Sequence, residues 1–180
     1  MKKGKGKSLI LGVTGSIAIY KSLNLLRMLI KEKFEVDVIM TKEAQQFITP
    51  LTFQSIVKKK VYSDLFELIK ENNPLHISLC EKARLILVYP ATCNFISKIA
   101  CGICDDLLSC VIMSFKGKVV FCPASDTNMY LNPIFQENLK KLKKLGYIFL
   151  GPVKGELVSG KKGIGHIIPE EEVLRKIKNI

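Results

Sequence analysis

No run of about eighteen or more consecutive apolar residues occurs in this 180-residue sequence, so no segment has the length of a bilayer-spanning helix. A membrane partner is therefore not predicted. Only two histidines are present, His76 and His166, and both lie far along the chain from the single C-x-x-C pair at Cys101 and Cys104. Because a second such pair is missing, the sequence favours neither a metal site nor a redox role for it.

The distribution of the cysteines does not indicate a disulfide framework either. The cysteines lie inside or beside predicted helices and strands, mostly with apolar neighbours. They are Cys80, Cys93, Cys101, Cys104, Cys110 and Cys122. This distribution is typical of reduced, buried thiols, and it predicts a cytoplasmic protein rather than a secreted one.

The composition excludes a disordered chain, since 48% of the residues are hydrophobic and 24% are charged. One domain is expected over residues 8–180, because the sequence shows neither a linker nor an internal repeat. Residues 1–7 are predicted to form a basic, solvated tail. A signal peptide is not expected, because the following apolar run contains Gly12, Thr14 and Gly15 and continues into an amphipathic helix.

The formal net charge is +12, with lysine clusters at residues 2–7, 58–60, 140–144 and 161–162. Such clusters could bind nucleic acid, but no aromatic residues are interleaved with them. We therefore favour a solvated surface and predict no nucleic-acid partner. The positive field could still attract an anionic small molecule.

Strand-like and helix-like segments alternate along the chain. The predicted strands are residues 8–12, 34–40, 85–88, 118–122 and 147–150. The predicted helices are residues 16–30, 42–47, 50–56, 93–101, 105–115, 132–145 and 170–177, with His76 just before a further helical segment. Residues 151–165 contain several glycines and are predicted to be a long flexible loop or flap. This order predicts a three-layer, Rossmann-like (flavodoxin-like), doubly wound parallel sheet with its site at the C-terminal strand ends.

The segment from Gly12 to Ser16 places glycines and a hydroxyl between a strand and a helix, where a phosphate can bind the helix N-terminus. It is not the G-x-G-x-x-G fingerprint, and the next strand ends in Met40-Thr41 without an acidic residue for a ribose. A mononucleotide phosphate therefore fits better than NAD. The alternative is a tight turn with an N-cap serine.

The segment from Pro90 to Asn94 follows another predicted strand, and Thr92 and Asn94 offer the donors and acceptors that a flavin ring or ribityl chain needs. A helix-capping turn is the alternative. Because both segments fall on the same edge of the predicted sheet, a shared cofactor site is favoured over two unrelated turns.

Five segments, in unbroken order, resemble the flavin-dependent cysteine decarboxylases. They are Gly15-Ser-Ile-Ala-x-Tyr-Lys21, Pro50-Leu-Thr-Phe-Gln54, His76-Ile-x-Leu79, Pro90-Ala-Thr-x-Asn94 and Gly102-Ile-x-Asp-Asp-Leu-Leu-Ser109. The resemblance is strongest to the branch that decarboxylates phosphopantothenoylcysteine to phosphopantetheine in coenzyme A biosynthesis. It implies bound FMN, a phosphorylated small-molecule substrate, and a homotrimer or a dodecamer of trimers with flavin at subunit interfaces.

The resemblance also implies roles for particular residues. The FMN phosphate side would be held by Gly15, Ser16, Ile17 and Thr41. The flavin ring and ribityl chain would contact Ala91, Thr92, Asn94 and Ala124, and the other cofactor contacts would be Phe47 and Ser109. The substrate would contact Asp126, Met129, Gly155, Leu157 and Lys161. His76 would act as base or electrostatic partner of the reacting thiol, and the catalytic set would also include Asp126 and Ser159.

Two segments depart from the family pattern. The family has Met-Asn where this chain has Ser125-Asp126, and that asparagine donates its amide to the substrate carboxylate. An ionised Asp126 would repel the carboxylate, by about 4 kcal/mol at ~4 Å and a dielectric near ~20, and a protonated one would need strong burial. Ser159 stands where the family cysteine donates a proton, and a hydroxyl is a weaker acid. We therefore expect an oxidised enethiol to accumulate.

Three alternatives remain open from the sequence. One is an FMN-binding member with a regulatory or scaffolding role, because the cofactor motifs match while Asp126 and Ser159 depart. The second is a flavoprotein that transfers electrons or carries a prenyl group. The third is a nucleotide-binding domain without flavin.

Overall fold

The computed structural model describes residues 7–67, 73–158 and 160–180. The strands are β1 Ser8–Val13, β2 Glu35–Met40, β3 Val61–Tyr62, β4 Leu85–Ala91, β5 Lys118–Pro123, β6 Ile148–Phe149, β7 Val153–Glu156 and β8 Lys162–His166. The helices are α1 Tyr20–Lys31, α2 Pro50–Val57, α3 Leu75–Lys82, α4 Cys93–Ala100, α5 Leu107–Ser114, α6 Thr127–Leu131, α7 Pro133–Lys144 and α8 Glu170–Ile177. Short 3-10 helices occupy Ile17–Ile19 and Ala44–Gln46.

The central sheet is parallel and has six strands in the order β3-β2-β1-β4-β5-β6. Strands β1 and β4 are continuous apolar runs because both faces of the sheet are covered. In the shared register, Leu11 of β1 lies between Val38 of β2 and Leu87 of β4. The predicted doubly wound α/β fold is confirmed, and β1 lies where the strand order reverses, the position at which such sheets bind ligands.

A separate hydrophobic core covers each face of the sheet. One face packs against α1 and α8, with Leu25 and Val173 buried in this core. The other packs against α4, α5 and α7, where Ile96 and Leu139 are buried. This arrangement gives the predicted three layers, and it leaves the loops after the strands free to form a site.

Several local predictions are wrong. Residues 151–165 are not a long loop, because β7 and β8 form an antiparallel hairpin with Gly155 opposite Gly163. Glycines at paired positions hid the strand alternation that sequence patterns rely on. His76 lies inside α3 rather than before it. Helix α6, capped by Asp126, was not predicted.

Residues 1–6 of the predicted basic tail lie outside the described residues, and so does Ser159. All six cysteines are described and free, but Cys101 and Cys104 are exposed, so the expectation that the thiols are buried is wrong for these two. Within the described ranges, no helix combines the length and apolar character needed to span a bilayer.

Candidate functional site

The C-terminal ends of β1, β2, β4 and β5 surround a cavity of about 300 Å³, the cofactor cavity. Seven of the predicted site residues line it, namely Gly15, Ser16, Thr41, Thr92, Asn94, Ala124 and Met129. The other lining residues are Thr14, Glu43, Cys93, Phe95, Lys98 and Ser125. The predicted meeting of the two strand-end segments therefore occurs in the structure.

The turn after β1 is shaped by close packing at Gly15. A Cβ atom placed there would lie 2.5 Å from Cβ and 3.0 Å from the carbonyl carbon of Glu43, so the turn has no room for a side chain. Ser16 caps the following 3-10 helix, and its Oγ accepts a hydrogen bond from the Ala18 N–H at 3.3 Å. The Gly15–Ser16 turn and the start of the helix thus border the cavity, which is a position where a phosphate can bind.

The turns after β1 and β4 are joined through Thr14. Its hydroxyl donates to the Pro90 carbonyl at 2.8 Å and accepts from the Thr92 N–H at 3.0 Å. The Thr92 hydroxyl in turn accepts from the Phe95 N–H at 3.2 Å and caps α4. Because Thr14 is buried, these bonds fix the two segments relative to each other.

A cation lies on the α4 side of the cavity. Lys98 Nζ contacts Asp105 Oδ1 at 2.6 Å and Asp106 Oδ2 at 3.1 Å. Partial burial favours the neutral amine, but the hydrogen bonds to these carboxylates outweigh it, so the pKa of Lys98 is raised. Ser109 does not line the cavity, since its hydroxyl accepts from the Asp106 N–H in the capping box of α5.

A second cavity of about 590 Å³, the flap cavity, lies between the start of α1, the turn after β5 and the β7–β8 hairpin. Predicted residues Ser16, Ile17, Ala124, Asp126 and Leu157 line it. Lys21, Ser125, Glu156 and His166 line it as well, together with Ala18, Tyr20, Val158, Gly165 and Ile167. Ser16, Ala124 and Ser125 border both cavities, so the two spaces adjoin.

A hydrogen-bonded pair, Lys21 and His166, stands in the flap cavity. The His166 Nδ1 lies 2.9 Å from the Glu156 carbonyl oxygen, which can only accept, so Nδ1 carries the proton. Nε2 lies 3.1 Å from Lys21 Nζ and therefore accepts from the ammonium. The hydrogen bond between Lys21 and His166 joins the β7–β8 hairpin to the first turn of α1.

The turn after β5 contains both departures from the family's Met-Asn pair. Asp126 is exposed, and its Oδ1 accepts from the Asn128 N–H at 2.8 Å. The strong burial that a donating carboxyl would require is not found in this chain. Ser125 Oγ is buried without a hydrogen-bond partner. Burial raises the pKa of the Cys93 thiol, and its contact with the Ser125 hydroxyl offsets part of that rise.

The remaining predicted residues do not line either cavity. They are His76, Phe47, Ala91, Ser109, Gly155 and Lys161. His76 is half-buried in α3, and Ala91 is fully buried in β4. Phe47 is 49% exposed. Ser159 lies outside the described residues, so its predicted role stays a prediction.

Sequence reasoning missed Lys21, Lys98, Ser125 and His166 as site residues. Lys21 had a usable signal, since it follows Ser16 by little more than one helical turn. His166 had none, because it reaches Lys21 from 145 positions along the chain.

The residues of the cofactor cavity fit FMN. A crowded glycine turn with a capping serine suits a phosphate, and Thr92 with Asn94 supplies polar groups for a ring edge or ribityl chain. Its volume of about 300 Å³ is at the small end for ligand pockets, but the flap cavity adjoins it. Together the fold and the cavities define an α/β protein that binds a phosphorylated, aromatic ligand.

Comparison with known proteins gives the family. Residues 1–180 match the family described as Flavoprotein, and the chain belongs to it. The predicted kinship with the flavin-dependent cysteine decarboxylases is confirmed by this match together with the decarboxylases among its relatives and solved structures.

Among curated relatives, the chain is similar to the probable phosphopantothenoylcysteine decarboxylase of Streptococcus mutans, with 38% identity over 96% of this chain and 97% of that protein. It is 42% identical to the coenzyme A biosynthesis bifunctional protein CoaBC of Borreliella burgdorferi, over 97% of this chain and 45% of that protein. The chain thus spans about half the length of the bifunctional relatives.

Solved structures show the same fold. A PPC decarboxylase mutant complexed with pantothenoylaminoethenethiol matches with a TM-score of 0.87 at 29% identity, over 96% of this chain and 97% of that one. The FMN binding protein AtHal3 matches with a TM-score of 0.84 at 28% identity, over 97% and 96%.

Proposed function

We propose that the chain is an FMN-dependent decarboxylase that converts phosphopantothenoylcysteine to phosphopantetheine in coenzyme A biosynthesis. The observation that carries this proposal is the full-length structural match to the PPC decarboxylase complex. The cofactor cavity opening into a cavity under a hairpin agrees with it, because a small substrate can then lie beside the flavin ring.

Different residues act on FMN and on the substrate. Gly15 and Ser16 hold the FMN phosphate, and Thr92 and Asn94 orient the rest of the cofactor. When bound, FMN supplies oxidation of the substrate thiol, which makes the adjacent carboxylate easy to lose. The β7–β8 hairpin encloses the substrate and excludes water.

The proposed enzyme is a homo-oligomer, a trimer or a dodecamer of trimers. Support comes from large apolar side chains that are exposed on the single chain. Ile17, Tyr20 and Met129 line the cavities, and Phe47, Leu131 and Ile134 are exposed as well. His76 lines neither cavity of its own chain. In an oligomer with flavin at the interfaces, His76 of one subunit would serve the site of the next.

The cytoplasm is the proposed location. Six free thiols in a chain of 180 residues suit a reducing compartment. The pathway of the relatives, coenzyme A biosynthesis, agrees with this placement.

The decisive experiment is anaerobic incubation of the FMN-loaded protein with phosphopantothenoylcysteine, followed by mass spectrometry and flavin absorbance. Loss of carbon dioxide from the substrate is expected. Because Ser159 replaces a thiol acid, we expect an enethiol with bleached flavin to precede phosphopantetheine. An unchanged substrate with FMN fully bound would refute the proposed function. The serine analogue of the substrate, which has no thiol to oxidise, is the matched control.

A further inference from the structure

Two cysteine side chains meet at the start of α5. The Cys110 thiol donates a hydrogen bond to the Cys104 carbonyl oxygen at 3.3 Å, and the two thiols contact each other. Cys104 is exposed and Cys110 is half-buried, so small molecules in solution can reach the pair. Neither thiol lines the cofactor cavity or the flap cavity, so the proposed function gives them no role.

The sequence motif that contains Cys104 does not predict this contact. Cys101 and Cys104 form the single C-x-x-C motif of the chain, and both are exposed. The Cys104 thiol nevertheless lies beside the thiol of Cys110, six positions further along. Cys93 and Cys122, by contrast, are buried, where small molecules do not reach them.

The segment between the two cysteines is held in place by polar contacts. Asp106 Oδ1 accepts from the Ser109 N–H at 2.8 Å, and Ser109 Oγ accepts from the Asp106 N–H at 3.1 Å, which forms the capping box of α5. Lys98 Nζ bridges the carboxylates of Asp105 and Asp106. Because the two cysteines flank this braced turn, their thiols are brought together before any bond forms between them.

A metal ion does not explain the pair. Within residues 7–67, 73–158 and 160–180, no group of three or more His, Cys, Asp or Glu side chains has the arrangement of a metal site. A structural zinc ion takes four such ligands, whereas two thiols in contact suit a disulfide.

The two thiols differ in reactivity. Burial raises the pKa of Cys110, and the Cys104 thiol and the Asp106 carboxylate raise it further. Since the thiolate is the nucleophile, the exposed Cys104 should react first with a disulfide in solution. The Cys110 sulfur is then in position to attack the Cys104 sulfur, because the two side chains are already in contact.

We propose that Cys104 and Cys110 form a reversible disulfide by exchange with a small-molecule disulfide such as glutathione disulfide. The Cys104 thiolate attacks one sulfur of the small molecule, whose S–S bond breaks, and one small-molecule thiol leaves a mixed disulfide on Cys104. The Cys110 thiolate then attacks the Cys104 sulfur, and the second small-molecule thiol leaves. The protein is oxidised by two electrons and the small molecule is reduced, and its two thiols carry the protons that the cysteines lose. In a reducing compartment such a bond is transient and serves redox sensing.

The test exposes the FMN-loaded protein to glutathione disulfide, blocks the remaining thiols by alkylation and measures masses before and after proteolysis. Cleavage on the N-terminal side of Asp105 separates the two cysteines, so only a disulfide keeps the two fragments together. Linked fragments that have lost two hydrogen atoms are expected. An excess of reduced glutathione should restore both thiols, because the exchange is reversible.

Cys101→Ser is the matched control, because it breaks the C-x-x-C motif and leaves both members of the pair. This variant should form the disulfide as the parent protein does. Cys104→Ser and Cys110→Ser should each abolish the linked fragments, and Cys110→Ser should instead keep glutathione on Cys104. Retained FMN and an unchanged melting temperature show that each variant is folded. The measurement on the parent protein needs no variant, so it decides the matter even where one fails to fold.

The assignment fails if the parent protein keeps a stable glutathione on Cys104 without linked fragments, or if Cys104 does not react at all. It fails equally if Cys101→Ser abolishes the linked fragments, because Cys101 would then be the partner of Cys110. None of these results would bear on the decarboxylase proposal, since neither thiol of the pair lines a cavity.

Discussion

Replacing Gly15 by alanine should weaken FMN binding as well as the stability of the fold. The new Cβ would lie 2.5 Å from Cβ of Glu43 and 3.0 Å from its carbonyl carbon, whereas an ordinary contact is 3.4 Å or longer. The turn after β1 and the segment after β2 must therefore move apart by nearly an ångström. Because Gly15, Ser16 and Thr41 line the same cavity, the movement opens the proposed phosphate site.

The size of the effect follows from what is displaced. Overpacking of this kind costs about 1–3 kcal/mol in folded stability. Loss of one hydrogen bond between a backbone N–H and the phosphate costs about 1.5–3 kcal/mol, so the dissociation constant for FMN should rise by roughly tenfold to a hundredfold. Quenching of FMN fluorescence by the apoprotein measures that constant, and a thermal melt of the same sample reports stability.

Gly12→Ala is the matched control on the same strand. Its Cβ would meet Leu108 Cδ1 at 2.7 Å, but this atom is the far end of a flexible side chain, and Gly12 lines neither cavity. Gly12→Ala should lower the melting temperature and leave the affinity for FMN nearly unchanged. If Gly15→Ala bound FMN as tightly as the parent protein, this turn would not be the phosphate site.

Three further changes test other parts of the structure. Thr14→Val removes both hydrogen bonds that join the turns after β1 and β4, and it should cost about 1–3 kcal/mol in a urea titration and weaken FMN binding; unchanged values would contradict the joining role. Tyr89→Phe leaves the Ile168 carbonyl without its 2.9 Å donor and should cost about 1–3 kcal/mol, whereas the exposed Tyr20→Phe should cost almost nothing. Burial raises the pKa of the Cys122 thiol, so on raising the pH the unfolded chain loses this proton first and stability falls above a pH of about 8.5. Above that pH, the free energy of unfolding of Cys122→Ala should rise relative to that of the parent protein by about 1.4 kcal/mol per pH unit. If urea titrations gave both proteins the same dependence on pH, this role of the Cys122 thiol would be wrong.

The central sheet could be predicted because its signals are local. Strands β1 and β4 are uninterrupted apolar runs, and each is followed by a turn with a capping residue, Ser16 or Thr92. These signals place the strand ends on one edge of the sheet without any knowledge of packing. About half of the cofactor cavity follows directly, because Thr14, Gly15, Ser16, Thr92, Cys93 and Asn94 come from these two strand ends. The rest of its lining comes from α4 and from the segments after β2 and β5.

The flap cavity could not be predicted in the same way. The hairpin that forms it pairs Gly155 with Gly163, so neither strand shows an apolar alternation. The contact between Lys21 and His166 depends on a hydrogen bond between residues 145 positions apart. Whether Ser125 has a partner is decided by tertiary packing, and no sequence pattern records an unsatisfied hydroxyl.

The departures expected from the family resemblance lie in the turn after β5. Ser125 and Asp126 stand there in place of Met and Asn, whereas the Gly15–Ser16 turn and the Thr92–Asn94 segment agree with the resemblance. Asp126 lines the flap cavity alone, and Ser125 borders both cavities. A change at Asp126 should therefore affect substrate binding more than FMN binding, because this side chain does not line the cofactor cavity.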